Sequence, residues 1–205
     1  MGISDLDDFE DISGVEAQPD EEDRKPNRFA LSWAKDFSEQ GPPPKWLIKN
    51  IIPESSIGYI YGPPASGKTF LAFDMVAAVA RGVPWNGYKT QQGCVVYVCA
   101  EGAYFFRNRI KAYLQANSLE SLDIAVLDGN PDLLKKADIK DLAAACKSLG
   151  VKIAALVLDT YASCMSGDEN SAQDVGQVIK ACKFLQRELE TVVMLIHHSG
   201  KDLSK

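Results

Sequence analysis

The feature that most constrains the fold is the run of residues 57–69. A short stretch of β-forming residues leads into Gly-x-x-x-x-Gly-Lys-Thr, residues 62–69, and a helix-prone segment, residues 70–80, follows directly. A strand, a glycine-bounded loop and a helix form the context of a phosphate-binding P-loop. The glycines let backbone N–H groups approach phosphate oxygens, and the helix N-terminus adds partial positive charge. We therefore predict that this loop binds the phosphates of a nucleotide.

The loop residues receive individual roles in this prediction. The Lys68 ammonium is expected to reach the β- and γ-phosphates, so Lys68 also counts as catalytic, and the Thr69 hydroxyl is expected to hold Mg²⁺. The alternative is a chance Gly-Lys-Thr in an ordinary turn, which the two flanking segments argue against. The predicted nucleotide contacts are Gly62, Pro63, Pro64, Ala65, Ser66, Gly67, Lys68, Thr69 and Phe70.

Composition narrows the class of protein. The 205 residues are 46% hydrophobic and 24% charged, enough for one domain with a full core. No apolar run approaches the roughly 18 residues of a membrane span, and the acidic N-terminus does not resemble a signal peptide. The five cysteines lack Cys-x-x-Cys spacing and the two histidines lack zinc-ligand spacing. These features predict a cytoplasmic protein with reduced cysteines and no membrane contact.

Charge is divided unevenly along the chain. Residues 1–23 hold ten acidic residues and no Lys or Arg, which leaves 22 basic and 18 acidic residues in the remainder. We predict a disordered acidic tail over residues 1–28. A regulatory alternative is that the tail mimics nucleic acid and masks a basic surface. Residues 29–44 are predicted to form a short amphipathic helix (29–37) and a proline-rich linker, and residues 45–205 the main domain.

The rest of the chain alternates between predicted strands and helices. This alternation predicts an α/β fold, a mostly parallel sheet with helices on both faces. Ligands of such sheets bind beyond the carboxyl ends of the strands. The unusual polar residues stand at those ends: the P-loop, Glu101, Asp159, His197 and His198.

Three of these residues have candidate chemical roles. Asp159 follows a buried strand as a Walker B carboxylate does and is expected to hold Mg²⁺ with Thr69; the alternative is a cap on the next turn. Thr160 stands where many ATPases have a glutamate, so Glu101 is the candidate general base; the alternative is a cap on the following helix. His198, rather than His197, is expected to sense the γ-phosphate, unless backbone carbonyls satisfy it.

Four segments together resemble the successive motifs of the RepA-like ATPases. They are residues 62–69, 98–102, 156–160 and 196–201, and the resemblance covers roughly residues 46–201. That family belongs to the RecA-like, hexameric-helicase branch of P-loop NTPases, is common in plasmids and phages, and is often labelled AAA family ATPase. The resemblance implies a RecA-like fold, ATP and Mg²⁺ as ligands, Glu101 as the base and a His motif at His197 and His198. It also implies homo-oligomeric rings, and helicase members move on single-stranded DNA during replication.

The sequence departs from the family pattern in two ways. Ala65 stands where the family often has glycine, and an alanine fits there if the backbone does not demand a positive φ. The family continues beyond its His motif with further strands, an arginine finger and DNA-contacting loops, so we expect a fragment or a shortened relative, incomplete at the C-terminus. Besides an ATPase, two functions stay open: a weakly hydrolysing nucleotide-binding switch and a small-molecule kinase.

Overall fold

The computed structural model describes residues 30–39 and 41–198, and the predicted acidic tail lies outside these residues. Contacts divide the chain into Met1–Pro42 and Pro43–Lys205. In the first unit, helix α1 spans Ala34–Glu39 and none of its residues is buried. It begins later than the predicted helix over residues 29–37, because its first backbone hydrogen bond runs from the Phe37 N–H to the Trp33 carbonyl.

The second unit contains a two-stranded antiparallel sheet and a five-stranded parallel sheet. The small sheet pairs β1 with β2, and the large sheet has the order β3-β7-β6-β4-β5. The predicted α/β fold is therefore confirmed. The elements are β1 Trp46–Ile48, β2 Ile52–Pro53, β3 Ile57–Gly62, α2 Lys68–Arg81, β4 Cys94–Cys99, α3 Ala103–Ala116, β5 Ile124–Asp128, α4 Lys136–Ser148, β6 Ile153–Asp159, a 3-10 turn at Ala162–Cys164, α5 Ala172–Leu189 and β7 Val192–His198.

Two apolar cores lie on opposite faces of the large sheet. Helices α2 and α3 contribute to one core and helices α4 and α5 to the other. Strands β4, β6 and β7 are buried on both faces, which explains why their sequences are nearly unbroken apolar runs. Cys94 packs against the α4–α5 side and Cys99 lies on the α2 side, as their spacing along one strand predicts.

The segment before the P-loop strand closes one side of the α2 core. Leu47 and Ile48 of β1 are almost fully buried there, and Trp85 packs against the same core from the loop after α2. The Trp85 indole N–H donates to Asp74 Oδ2 at 2.8 Å. Trp85 is therefore a core-covering loop residue. None of the helices within the described residues is long and apolar enough to cross a membrane.

A buried carboxylate ties the turn before α4 to the loop after β6. Asp132 Oδ1 accepts hydrogen bonds from the backbone N–H groups of Leu134 and Ser166, both at 3.1 Å, and Lys135 Nζ lies 3.3 Å from Oδ2. Burial alone would raise the pKa of Asp132, but the hydrogen bonds from Ser166, Leu134 and Lys135 outweigh it and lower the pKa to about 2. The ionised form therefore stabilises this junction.

Replacing Asp132 by asparagine tests that stabilisation. The folded pKa lies below the unfolded value of about 3.9, so the contribution is present above about pH 4 and is lost as the pH falls through about 2. We expect Asp132→Asn to lower the free energy of unfolding at pH 7 by about 1–2 kcal/mol, a figure discounted for screening by nearby solvent. Urea denaturation measures it, with the exposed Asp141→Asn on α4 as the matched control. Equal losses in both variants, or a gap that does not narrow below pH 4, would contradict the assignment.

Candidate nucleotide-binding site

Parallel pairing aligns the strand ends that carry the predicted site. Gly62 of β3 pairs with His198 of β7, and Asp159 of β6 pairs with Ile196 of β7 and with Cys99 of β4. The P-loop, the two carboxylates and the histidines therefore follow neighbouring strands at one edge of the sheet. Strand alternation also places Asp159 and His198 on the face that α2 covers, since Val157 and Ile196 belong to the α2 core.

The P-loop wraps around the Lys68 ammonium. Lys68 is 6% exposed, and its Nζ donates to the carbonyl oxygens of Gly62 at 2.8 Å and Pro63 at 2.7 Å. Burial lowers the pKa of Lys68, and the charge of Asp159 acts in the opposite direction. Gly67 precedes α2 with a left-handed φ of 85°, a conformation that favours glycine. The loop thus holds a cation at the N-terminus of a helix, where backbone N–H groups favour the binding of phosphate oxygens.

Ala65 adopts a left-handed backbone conformation, although an alanine was expected to fit there only without a positive φ. Its φ is 60°, in a turn closed by the Ser66 N–H and the Pro63 carbonyl at 3.3 Å. With Pro64 at the second position and a positive φ at the third, this is the turn geometry that normally selects glycine at the Ala65 position. The condition that this position does not require a positive φ is therefore not met. The alanine is held in a backbone conformation that is costly for any residue with a Cβ atom.

Asp159 ends β6 with a phenol as its partner. Asp159 is 5% exposed, and its Oδ2 accepts a hydrogen bond from the Tyr97 hydroxyl at 2.6 Å. Burial, and after it the neighbouring Asp159, raises the pKa of Tyr97, so the phenol stays a donor. Tyr97 also stacks on Phe106 of α3, with ring centroids 4.2 Å apart. One carboxylate oxygen is thereby fixed by the protein.

Glu101 is held by two hydroxyl groups from the loop that follows β6. Thr160 Oγ1 donates to Glu101 Oε1 at 3.0 Å, and the Ser163 hydroxyl also donates to Oε1. The two hydroxyl oxygens lie 3.0 Å from each other. Gly102, not Glu101, is the N-cap residue of α3, and no side chain caps that helix. Glu101 is itself exposed, so its carboxylate is oriented while remaining open to water.

The two histidines point to opposite faces of the sheet. His197 lies among the rings of Tyr61 and Tyr161, at centroid distances of 5.3 and 5.0 Å, with its Nδ1 3.8 Å from Glu169 Oε2. Within residues 30–39 and 41–198, the buried Nδ1 atoms of His197 and His198 have no hydrogen-bond partner. His198 lies on the α2 face beside Gly62. The structure thus brings His198, and not His197, to the P-loop side.

An exposed ring with a guanidinium group over it lies next to the P-loop. Phe70, in the first turn of α2, is 60% exposed, and the Arg109 guanidinium carbon lies 3.8 Å from its ring centroid. Leu71, Phe73 and Tyr113 line the same open cavity. Planar groups of this kind stack well on a nucleobase. Phe70 is one of the contacts predicted from the sequence, whereas Arg109 has no predicted role.

The donor set agrees with a magnesium–nucleotide site. Among the residues that the structure describes, no three His, Cys, Asp or Glu side chains are grouped closely enough to hold a metal ion. Mg²⁺ with nucleotides is usually held by one or two protein oxygens together with phosphates and water, and the Thr69 hydroxyl and the Asp159 carboxylate are oxygen ligands of that type. The residues present therefore fit the metal that the motifs imply.

Three contributors to the site were missed by the sequence argument. In the sequence, Tyr97 is indistinguishable from the apolar residues around it in β4. Its position two residues before Cys99 nevertheless places it on the same face of the sheet as Asp159. Ser163 belongs to a polar loop, and nothing in the sequence fixes the path that brings it back to Glu101. Arg109 lies in α3, about two helical turns after Glu101. Its distance in sequence from the P-loop helix gives no sign that it contacts Phe70.

The strand order, the P-loop and the strand-end carboxylates define the chain as a P-loop nucleotide-binding domain of RecA-like fold. A KaiC-like protein from the hyperthermophilic archaeon Pyrococcus horikoshii OT3 matches it with a TM-score of 0.52 and 19% identity, over 78% of this chain and 68% of that chain. At this identity the likeness shows the fold. A family model described as an AAA domain matches residues 19–204. The chain therefore belongs to the AAA domain family. No curated protein matches it.

The conformation of Ala65 gives a direct test of the P-loop. Glycine adopts a positive φ without the Cβ penalty of about 1 kcal/mol, which offsets the greater entropy that glycine gives the unfolded chain. We expect Ala65→Gly to leave the free energy of unfolding unchanged within about 0.5 kcal/mol. The matched control, Ala145→Gly on the exposed side of α4, is expected to cost about 1 kcal/mol. Urea denaturation compares them, and an equal loss in the two variants would refute the positive φ.

Proposed function

We propose that this chain binds Mg²⁺–ATP and hydrolyses the γ-phosphate, with Glu101 as the general base. The observation that carries the proposal is the placement of an oriented, water-accessible carboxylate on the strand next to Asp159. Glu101 is held by Thr160 and Ser163, and the P-loop cation follows another strand of the same edge. A structural glutamate would be expected to cap α3, which Glu101 does not do.

The binding part of the proposal uses the P-loop. Backbone N–H groups of residues 62–69 and the Lys68 ammonium bind the β- and γ-phosphates, and Lys68 exchanges the carbonyls of Gly62 and Pro63 for phosphate oxygens. Phe70 and Arg109 offer a stacking surface to the base. Thr69 and Asp159 would hold Mg²⁺, which neutralises phosphate charge when bound. Tyr97 keeps one Asp159 oxygen oriented, which leaves the other for the metal or its water.

The chemical part of the proposal assigns one proton transfer. Glu101 accepts a proton from the attacking water, and the hydroxyls of Thr160 and Ser163 keep its Oε1 from rotating. We assign the hydrogen bond to the γ-phosphate to His198, because strand pairing sets it beside Gly62 on the α2 face of the sheet. Its neighbour His197 packs among tyrosines on the other face and takes no part.

At the narrower level, we propose a RepA-like ATPase of a plasmid or phage that acts in DNA replication or recombination. The four motif segments support this proposal, and so do the RecA-like fold and the AAA domain family. Single-stranded DNA as a partner, helicase activity and a homo-oligomeric ring are part of the same proposal, and a ring would let a neighbouring subunit supply an arginine finger. The cytoplasmic location stays a prediction from the sequence.

Phosphate release by the purified chain tests the assignment of Glu101. We expect Glu101→Gln to reduce ATP turnover at least about 100-fold while ATP binding is kept, because general-base catalysis contributes about 10²–10⁴. Glu120→Gln, an exposed glutamate outside the site, is the matched control and is expected to keep the wild-type rate. Single-stranded DNA added to the wild type is expected to raise the rate.

Two results would count against this function. A wild-type rate of ATP turnover no higher than that of Lys68→Ala would refute the ATPase and favour the nucleotide-binding switch. A Glu101→Gln rate equal to that of Glu120→Gln would keep the enzyme but move the base elsewhere. Nucleotide binding, measured separately, distinguishes both results from a misfolded variant.

A further inference from the structure

A second cavity lies between α4 and α5, on the face of the sheet opposite the P-loop helix. It has a volume of about 400 Å³, and most of its surface is apolar. Its lining includes three apolar residues that we call its floor, Leu134, Ile139 and Phe184, and three lysines, Lys136, Lys140 and Lys180. We call these six residues the α4–α5 groove. Phe184 is 41% exposed, a large apolar side chain that the described part of the chain leaves partly uncovered.

The three lysines give the groove a definite charge. Lys136 and Lys140 lie one turn apart on α4, and Lys180 faces them from α5. All three are exposed, and none forms an ion pair with any residue of 30–39 or 41–198. Two other lysines of this region are paired, Lys135 with Asp132 and Lys147 with Glu188, whereas Lys183 of α5 has no ion pair within the described residues and does not line the cavity. Among the described residues, the lining of the cavity thus has three unpaired ammonium groups and no carboxylate.

This combination selects one class of occupant. An apolar floor calls for aliphatic or aromatic side chains, and flanking ammonium groups call for carboxylates. Nucleic acid could pair its phosphates with the lysines, but its charged backbone would then lie against the apolar side chains of Leu134 and Ile139. The single aromatic ring of Phe184 is also a poor platform for stacked bases. An amphipathic helix places apolar residues at i, i+3, i+4 and i+7 into a groove and acidic residues along its sides. We propose that the α4–α5 groove docks an acidic amphipathic helical segment of a partner protein.

The groove is connected to Glu101 through hydrogen bonds to three residues of the loop after β6. Leu133, beside the groove floor, donates its N–H to the carbonyl of Cys164 at 2.9 Å, and Asp132 accepts the N–H of Ser166. The same loop carries Ser163, whose hydroxyl holds Glu101. An occupant that shifts the turn before α4 therefore moves the loop that orients Glu101. This coupling to turnover rests on the proposed function, whereas docking itself does not.

Fluorescence anisotropy with the full chain tests docking. The probe is a labelled peptide of about 18 leucine and glutamate residues, with leucines at three- and four-residue spacing, long enough to form a helix. The control peptide has the same composition in scrambled order. We expect only the patterned peptide to bind, and the double variant Lys140→Glu, Lys180→Glu to weaken binding at least about tenfold by placing like charges together.

Two single variants separate charge from apolar contact. Phe184→Ser is expected to weaken the patterned peptide severalfold while all lysines remain. Lys111→Glu, an exposed lysine of α3 away from the groove, makes the same charge change and is expected to have no effect. Thermal melts of each variant, followed by circular dichroism, establish that the fold is kept.

Each result of this experiment decides something. No binding, equal binding of the scrambled peptide, equal loss with Lys111→Glu, or displacement of the peptide by single-stranded DNA would overturn the docking proposal. With docking shown, a change of at least about twofold in wild-type turnover at saturating peptide, absent in the double variant, supports the coupling; unchanged turnover overturns the coupling alone. If the wild type shows no ATP turnover, the proposed function is refuted. The peptide-binding measurement still tests whether the α4–α5 groove docks a helix.

Discussion

Parallel pairing of β3, β7, β6 and β4 is the constraint on which the rest of this structure depends. Because parallel strands end at the same edge of a sheet, the pairing of Gly62 with His198 and of Asp159 with Cys99 fixes which polar groups can meet. A one-residue slip of β6 would turn Asp159 from the α2 face to the α4–α5 face and separate it from Tyr97. The burial of both faces of the central strands holds that register, so the apolar cores and the site are one arrangement.

The two faces of the sheet contribute differently to the site. Besides its apolar core, the α2 face holds two buried charged groups with polar partners: Lys68 with loop carbonyls and Asp159 with Tyr97. Buried charges are tolerated only with such partners, and each partner also sets the direction in which the group can act. The other face carries the second apolar core, and the loop after β6 runs along it from Asp159 to α5. That loop reaches both faces, which explains why Ser163 can touch Glu101 while Cys164 accepts a hydrogen bond from Leu133.

Most of the fold follows from sequence pattern because its cause is local. Continuous apolar runs identify β4, β6 and β7, and the glycine-bounded loop identifies β3 and α2, so the alternation predicts a parallel sheet. Site residues at strand ends follow from the same logic, as Glu101 and Asp159 do. The contacts between distant loops do not follow: the Ser163–Glu101 bond joins residues that only the tertiary path brings together, and Arg109 reaches Phe70 from another helix. The backbone of Ala65 is a third case, since residue type alone indicates a negative φ and the turn around it imposes a positive one.

Calorimetry with a non-hydrolysable ATP analogue and Mg²⁺ would show whether the P-loop is a phosphate site built around Lys68. Removing an ammonium that bonds to phosphate costs about 1.5–3 kcal/mol, so we expect Lys68→Ala to weaken binding about 10- to 100-fold. Lys111→Ala, an exposed lysine of α3, serves as the control and should bind as the wild type does. Equal affinities for the wild type and Lys68→Ala would show that the buried cation has only a structural role and that the phosphates are not bound through it.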